Sequence, residues 1–131
     1  MNLDLSFDEL LPHPIGVVWR ALTETEVISD WLMVTTDFRP EVGAHFRLKT
    51  QGLSATAWVE GVVVELEPPT RMMWAWSVDG GAPSTTVTFE LTAEADGTRL
   101  TLTHVGEIDP TVGDLLRDGW PGRIELLRRA L

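Results

Sequence analysis

The 131-residue chain has no cysteine, which removes disulfide staples, thiolate nucleophiles and cysteine-ligated zinc from the chemistry open to it. It has no run near the ~18 consecutive apolar residues that a bilayer-spanning helix requires. Basic residues are few: 10 Lys and Arg against 20 Asp and Glu leave a formal net charge of −10. A chain so acidic repels a phosphate backbone, whose binding depends on Lys and Arg displacing counterions, so nucleic acid is not an expected partner. No stretch reads as a basic amphipathic helix, and an anionic membrane surface is not expected either. Met1–Glu9 carries three acids and no base, the reverse of a signal peptide's start, so residence in the cytoplasm is the expectation. A neutral or cationic ligand, or a basic protein surface, fits this charge better.

The chain does contain enough apolar material for one core. A hydrophobic fraction of 44% with 23% charged residues is that of a self-folding globular domain rather than a disordered tail. No repeat, low-complexity tract or linker interrupts it, and residues 1–131 are expected to form a single domain.

Periodicity divides that domain into elements. Leu3, Leu5 and Phe7 alternate with Asp4, Ser6 and Asp8, the period of a half-buried strand. After Pro14 the spacing changes to threes and fours: Ile15, Val18, Trp19 and Leu22 make one short helix, and Val27, Ile28, Trp31 and Leu32 a second. Six further strands are predicted at Met33–Arg39, Ala44–Thr50, Thr56–Leu66, Met72–Val78, Ser84–Thr92 and Arg99–Val105. Turn signals between them lie at 40–43, 51–54, 68–70, 79–83 and 95–97. Connections this short require antiparallel pairing. Trp120, Ile124, Leu127 and Leu131, spaced by four, three and four, form the stripe of a C-terminal helix docking on a sheet, with Glu125 and Arg129 able to pair outside it. The expected architecture is α+β: a curved antiparallel sheet of about seven strands wrapped round a C-terminal helix, with two short helices after the first strand.

Several pieces in this order resemble the START-like (SRPBCC) superfamily, and within it the activator of heat-shock-protein-90 ATPase homology branch. They are Val18-Trp19-Arg20-Ala21-Leu22-Thr23, Trp31-Leu32, Gly61 through Pro68-Pro69, Trp76, Gly97 through His104 and Gly119-Trp120. The resemblance covers nearly the whole chain. It implies a helix-grip fold, with a cavity between the sheet and a long C-terminal helix that relatives use for lipids, polyketides and other apolar molecules. It implies no common reaction, since the fold constrains chemistry much less than a site does; no cofactor is expected. The sequence departs from the family pattern at Pro121-Gly122, where relatives continue a helix; a proline inside a helix costs about 3 kcal/mol. The last helix is therefore expected either to start at Pro121, the plainer outcome, or to kink there beside Trp120.

Six tryptophans in a chain without tyrosine and with four phenylalanines are the most informative residues. Met72, Trp74 and Trp76 share one strand face, and Trp58, Phe89, Leu91, Leu100, Leu102 and Trp120 are expected to complete an apolar wall that lines a pocket or fills a core. The ligand-binding candidates are Trp58, Met72, Trp74, Trp76, Phe89, Leu102, His104 and Trp120. His104 and Glu60 are the candidate polar contacts, His104 by its register with Leu102 and Glu60 by its register with Trp58 and Val62. A slip of one residue would put Glu60 in water. His13 and His45 have no partner at ligand spacing, so no metal is expected. No phosphate loop, nucleophile elbow or paired-carboxylate motif occurs, and no catalytic residue is assigned. The leading expectation is a module that binds a small apolar or aromatic molecule without catalysis. A co-chaperone-like interaction module with a filled core is the alternative, and a cyclase or hydrolase using His104 and Glu60 a third.

Overall fold

A computed structural model describes residues 1–35, 37–49, 58–78 and 84–131. The elements run β1 (Asn2–Leu11), α1 (Ile15–Thr23), α2 (Thr25–Trp31), β2 (His45–Lys49), β3 (Trp58–Glu67), β4 (Arg71–Val78), β5 (Thr85–Glu94), β6 (Gly97–Glu107) and α3 (Pro110–Ala130). The six strands form one sheet in the order β1-β6-β5-β4-β3-β2, and every neighbouring pair is antiparallel. The predicted turns at 51–54 and 79–83, and parts of the strands predicted to end at Thr50 and to begin at Thr56, lie outside the described residues. Among the described residues no helix is long and apolar enough to cross a membrane.

The alternation read from the sequence sets the core side of most strands. On β4, Met72, Trp74 and Trp76 are buried, and on β6 Thr98, Leu100, Leu102 and His104. Their partners Val87, Phe89 and Leu91 on β5 join the same layer. α1 and α2 contribute Val18, Leu22, Ile28 and Trp31, and the Trp31 indole donates to the Ala21 carbonyl at 2.8 Å. α3 adds Trp120, Ile124 and Leu127, the stripe its spacing predicts. A salt bridge from Arg128 to Glu9, with a further bond to the Leu10 carbonyl at 3.1 Å, ties this helix to β1.

Three expectations need correction. Among its described residues, Met33–Arg39 makes only an isolated bridge, Val34 to Lys49, instead of a seventh strand. Its backbone bonds to helix side chains: the Thr35 N–H donates to Ser29 Oγ at 3.1 Å, and Thr25 Oγ1 donates to the Phe38 carbonyl at 3.2 Å. Such local side-chain partners replace a sheet ladder.

The last helix starts neither at Pro121 nor near it. It begins at Pro110, where Asp109 caps the backbone N–H groups of Thr111 at 3.0 Å and Val112 at 3.3 Å, and it passes through Pro121. Proline is suited to the first helical turn because its missing N–H has no intrahelical partner there. At Pro121 the same feature removes one interior bond from a helix held by packing on both sides of it.

The register of β3 is shifted by one from that expected. Val59, Gly61 and Val63 face the core, while Trp58 and Glu60 face outward. β2 fixes this, since its outward residues Lys49 and Arg47 lie opposite Trp58 and Glu60. A slip of one would bury both charges.

Candidate functional site

The predicted apolar wall divides into two parts. In the first, Trp74 packs edge-on against Phe46 and Phe89, each at 4.8 Å between ring centroids, with Phe38 at 5.6 Å. Met72, Phe89 and Leu102 are fully buried in the same cluster. These residues fill the core. Gly61 makes that packing possible, because a Cβ there would come within 2.2 Å of the Phe46 ring.

The second part lies under α3. Trp76 and Trp120 approach to 5.8 Å between ring centroids and line a pocket of about 340 Å³ between α3 and the sheet. Leu32 and Met33 after α2, Val59 on β3, and Val112, Leu115 and Leu116 on α3 supply most of the remaining apolar wall. Leu115, 46% exposed, stands at its opening. The only ionisable side chains in this wall among the described residues are Asp118 and Arg123. The buried indole N–H of Trp76 makes no hydrogen bond within the protein.

His104 sits behind these two indoles and is completely buried. Trp120 Nε1 donates to its Nδ1 at 3.1 Å, which makes Nδ1 the acceptor and puts the ring proton on Nε2. That Nε2–H meets Thr85 Oγ1 at 2.6 Å, and the Thr85 hydroxyl in turn donates to the Trp76 carbonyl at 3.3 Å. Burial pushes the imidazole down to about 4, since no carboxylate faces it to stabilise the charged form. With both nitrogens engaged, His104 braces the pocket's two tryptophans and has no free lone pair to offer a ligand.

Trp58 and Glu60 lie on the other side of the sheet. Trp58 is 39% exposed with the Arg47 guanidinium 5.9 Å above its ring, and Glu60 pairs with Arg47 at 3.2 Å. They help line a larger recess, about 500 Å³, with Val34, Asp37, His45 and Lys49. Its wall is mostly polar or charged, so it has less apolar area with which to hold a neutral ligand than the cleft under α3. Of the eleven residues singled out from the sequence for the apolar wall and for polar contacts, the structure therefore brings only Trp76 and Trp120 into the inner pocket. Glu60 faces outward to Arg47 and His104 faces the core, so they do not form an acid–base pair. Among the described residues no group of three or more His, Asp or Glu side chains is placed to hold a metal.

A family model described as "Activator of Hsp90 ATPase homolog 1-like protein" matches residues 12–131. The chain belongs to this family. Solved structures carry the same fold: protein MLL2253 from Mesorhizobium loti is 27% identical, with a TM-score of 0.83 over 97% of this chain and 95% of that one. Protein BH1534 from Bacillus halodurans is 27% identical, with a TM-score of 0.78 over 99% of each chain. DynU16, a protein of the dynemicin biosynthetic locus, is 24% identical with a TM-score of 0.80. The match covers 96% of this chain and 46% of DynU16, and at that identity the likeness speaks for the fold alone. No curated protein matches the chain significantly in sequence.

Within this Hsp90-activator-like family fold, the pocket residues that sequence reasoning missed include Leu32, Met33, Val59, Val112, Leu115, Leu116 and Arg123. Six of these seven sit in or just after a helix, and four of those fall on α3. Asp109-Pro110 was the available signal, an N-cap residue followed by proline at the first helical position. Thr85, the hydroxyl partner of His104, carried no local signal, being 19 residues away in sequence.

Proposed function

We propose that this domain binds a small apolar or aromatic molecule in the cleft between α3 and the sheet and does not act on it chemically. The observation that carries the reading is the apolar cleft of about 340 Å³ walled by Trp76, Trp120, Val59, Leu115 and Leu116. It falls within the range of about 300–1,000 Å³ common for small-molecule sites. An apolar ligand there gains about 25 cal/mol for each Å² removed from water. The free indole N–H of Trp76 favours a ligand that also brings a hydrogen-bond acceptor. Absence of chemistry is supported by the make-up of the wall, whose Asp118 and Arg123 do not form a general acid–base pair.

The test is saturable binding of an environment-sensitive apolar dye, with displacement by a panel of aromatic and aliphatic compounds. Leu115→Glu puts a charge at the opening without disturbing the core and should abolish binding. Val42→Glu, at a remote exposed position, should leave it intact. Absence of saturable binding, or binding indifferent to Leu115→Glu, would reject the cleft as the site. It would also favour the co-chaperone-like alternative, in which the acidic surface meets a basic protein partner.

A further inference from the structure

Four arginines of this chain are half-buried: Arg71, Arg99, Arg123 and Arg128. Three are matched by carboxylates. Arg71 meets Glu65 and Glu90, each at 3.0 Å; Arg99 meets Glu94 at 2.9 Å and also Asp8; Arg128 meets Glu9 and, at 4.0 Å, Glu125. Arg123 has neither an ion pair nor a hydrogen bond among the described residues, in a chain with 20 acids to choose from. It is also the one of the four that lines the apolar cleft, one helical turn beyond Trp120. A guanidinium partly withdrawn from water beside leucine and tryptophan is costly unless an anion meets it, and a carboxylate suits its planar fork best.

We infer that the ligand of this cleft is an apolar monocarboxylic acid, whose hydrocarbon or aromatic body lies against Trp76, Trp120 and Leu116 while its carboxylate pairs with Arg123. The inference rests on the cleft being the binding site, as proposed above. Asp118 narrows the class further. It shares the wall, is exposed and lies 3.9 Å from Arg117, so a second negative charge on the ligand would meet a like charge. A monoanion is therefore preferred to a phosphate or a dicarboxylate. The overall charge of −10 slows the approach of any anion. Its field decays over a Debye length of about 8 Å at physiological salt, which leaves the contact pair to decide affinity.

The experiment is calorimetric titration of the whole chain, at about pH 8 where carboxylic acids are ionised, with two matched pairs: naphthoic acid against naphthamide, and decanoic acid against decanol. At least one acid should bind about tenfold or more tightly than its neutral partner, as expected for a charge-assisted bond. Arg123→Gln should erase that preference, bringing the acid's affinity to that of its neutral partner, and Arg123→Lys should keep part of it. Equal or weaker binding of the acids than of their neutral partners, or a preference that survives Arg123→Gln, overturns the inference and leaves the cleft standing. If no compound of either pair binds, the cleft and the inference fall together.

Discussion

Trp120 on α3 and His104 on β6 are joined by a buried hydrogen bond from the indole N–H to Nδ1 at 3.1 Å, and this bond sets the protonation state of the imidazole. Nδ1 accepts and so is unprotonated; Nε2 carries the proton and meets Thr85. A second proton would have to go on Nδ1, where the Trp120 N–H already points. The α3-to-sheet contact beneath the cleft is therefore compatible only with a neutral ring.

Acid should weaken the fold through this residue. The imidazole titrates near 6.5 in the unfolded chain and at about 4 in the folded protein. Between those values the unfolded state holds a proton that the native state lacks, so stability is full above about pH 6.5 and falls as the pH drops toward 4. Between about pH 7.5 and 5 the loss from this group alone is about 2 kcal/mol. Urea unfolding of the protein and of His104→Gln at both pH values isolates it, because the carboxylates contribute equally to each. The drop should be smaller by that amount in the variant; identical drops would mean that His104 is not the buried neutral group described.

Thr85→Val tests the other side of the ring. Valine keeps the volume but leaves the Nε2–H of His104 buried without an acceptor, which costs about 1–3 kcal/mol. Thr92→Val, exposed on the same strand, should cost little. Nitrogen chemical shifts of His104 should report the Nε2–H tautomer in the native protein. Equal stabilities of the two valine variants would remove Thr85 from the network.

What could be read from the sequence follows from how local each determinant is. The faces of β4 and β6 were legible because Met72, Trp74, Trp76 and Leu100, Leu102, His104 alternate, Met73 apart, with polar or small residues along their own strands. The face of β3 was not, since Trp58, Val59, Val62, Val63 and Val64 offer apolar side chains to both sides. The decision came from the neighbouring strand, where Lys49 and Arg47 stay in water opposite Trp58 and Glu60. The first half of α3 was missed because Pro121-Gly122 read as a helix start or break, and with it went Val112, Leu115 and Leu116 of the cleft. The Asp109 cap and the docking of Trp120, Ile124 and Leu127 outweigh those propensities, a tertiary effect outside the reach of a local window.

Gly61→Ala should be severely destabilising although it adds one methyl group. The new Cβ would lie 2.2 Å from the Phe46 ring. That ring cannot swing aside, being held by Phe38 at 5.0 Å and Trp74 at 4.8 Å. Overpacking of this kind costs about 1–3 kcal/mol or more. Phe46→Leu in the same chain makes room, so the double variant should be more stable than the sum of the two single losses predicts, as judged by thermal or urea unfolding. Strict additivity would show that the contact is relieved some other way.

The α3 stretch Gly119-Trp120-Pro121-Gly122 is the weakest part of the helix and also the part that carries Trp120. A Cβ at Gly119 or Gly122 would meet nothing within 4 Å, so alanine at either position gains helix propensity at no steric cost, about 0.8–1 kcal/mol each. Pro121→Ala restores the interior N–H, and with it the bond to the carbonyl four residues back, for a gain of up to about 3 kcal/mol. Gly122→Ala is the cleanest of the three, because Gly122, unlike Gly119, is not part of the cleft wall, and the variant should unfold at a higher urea concentration with an unchanged slope. If Gly122→Ala and Pro121→Ala both left stability unchanged, residues 119–122 would not be helical in solution. The position of Trp120 against His104 would then have to be set by the flanking contacts of Leu116 and Ile124 rather than by a continuous α3.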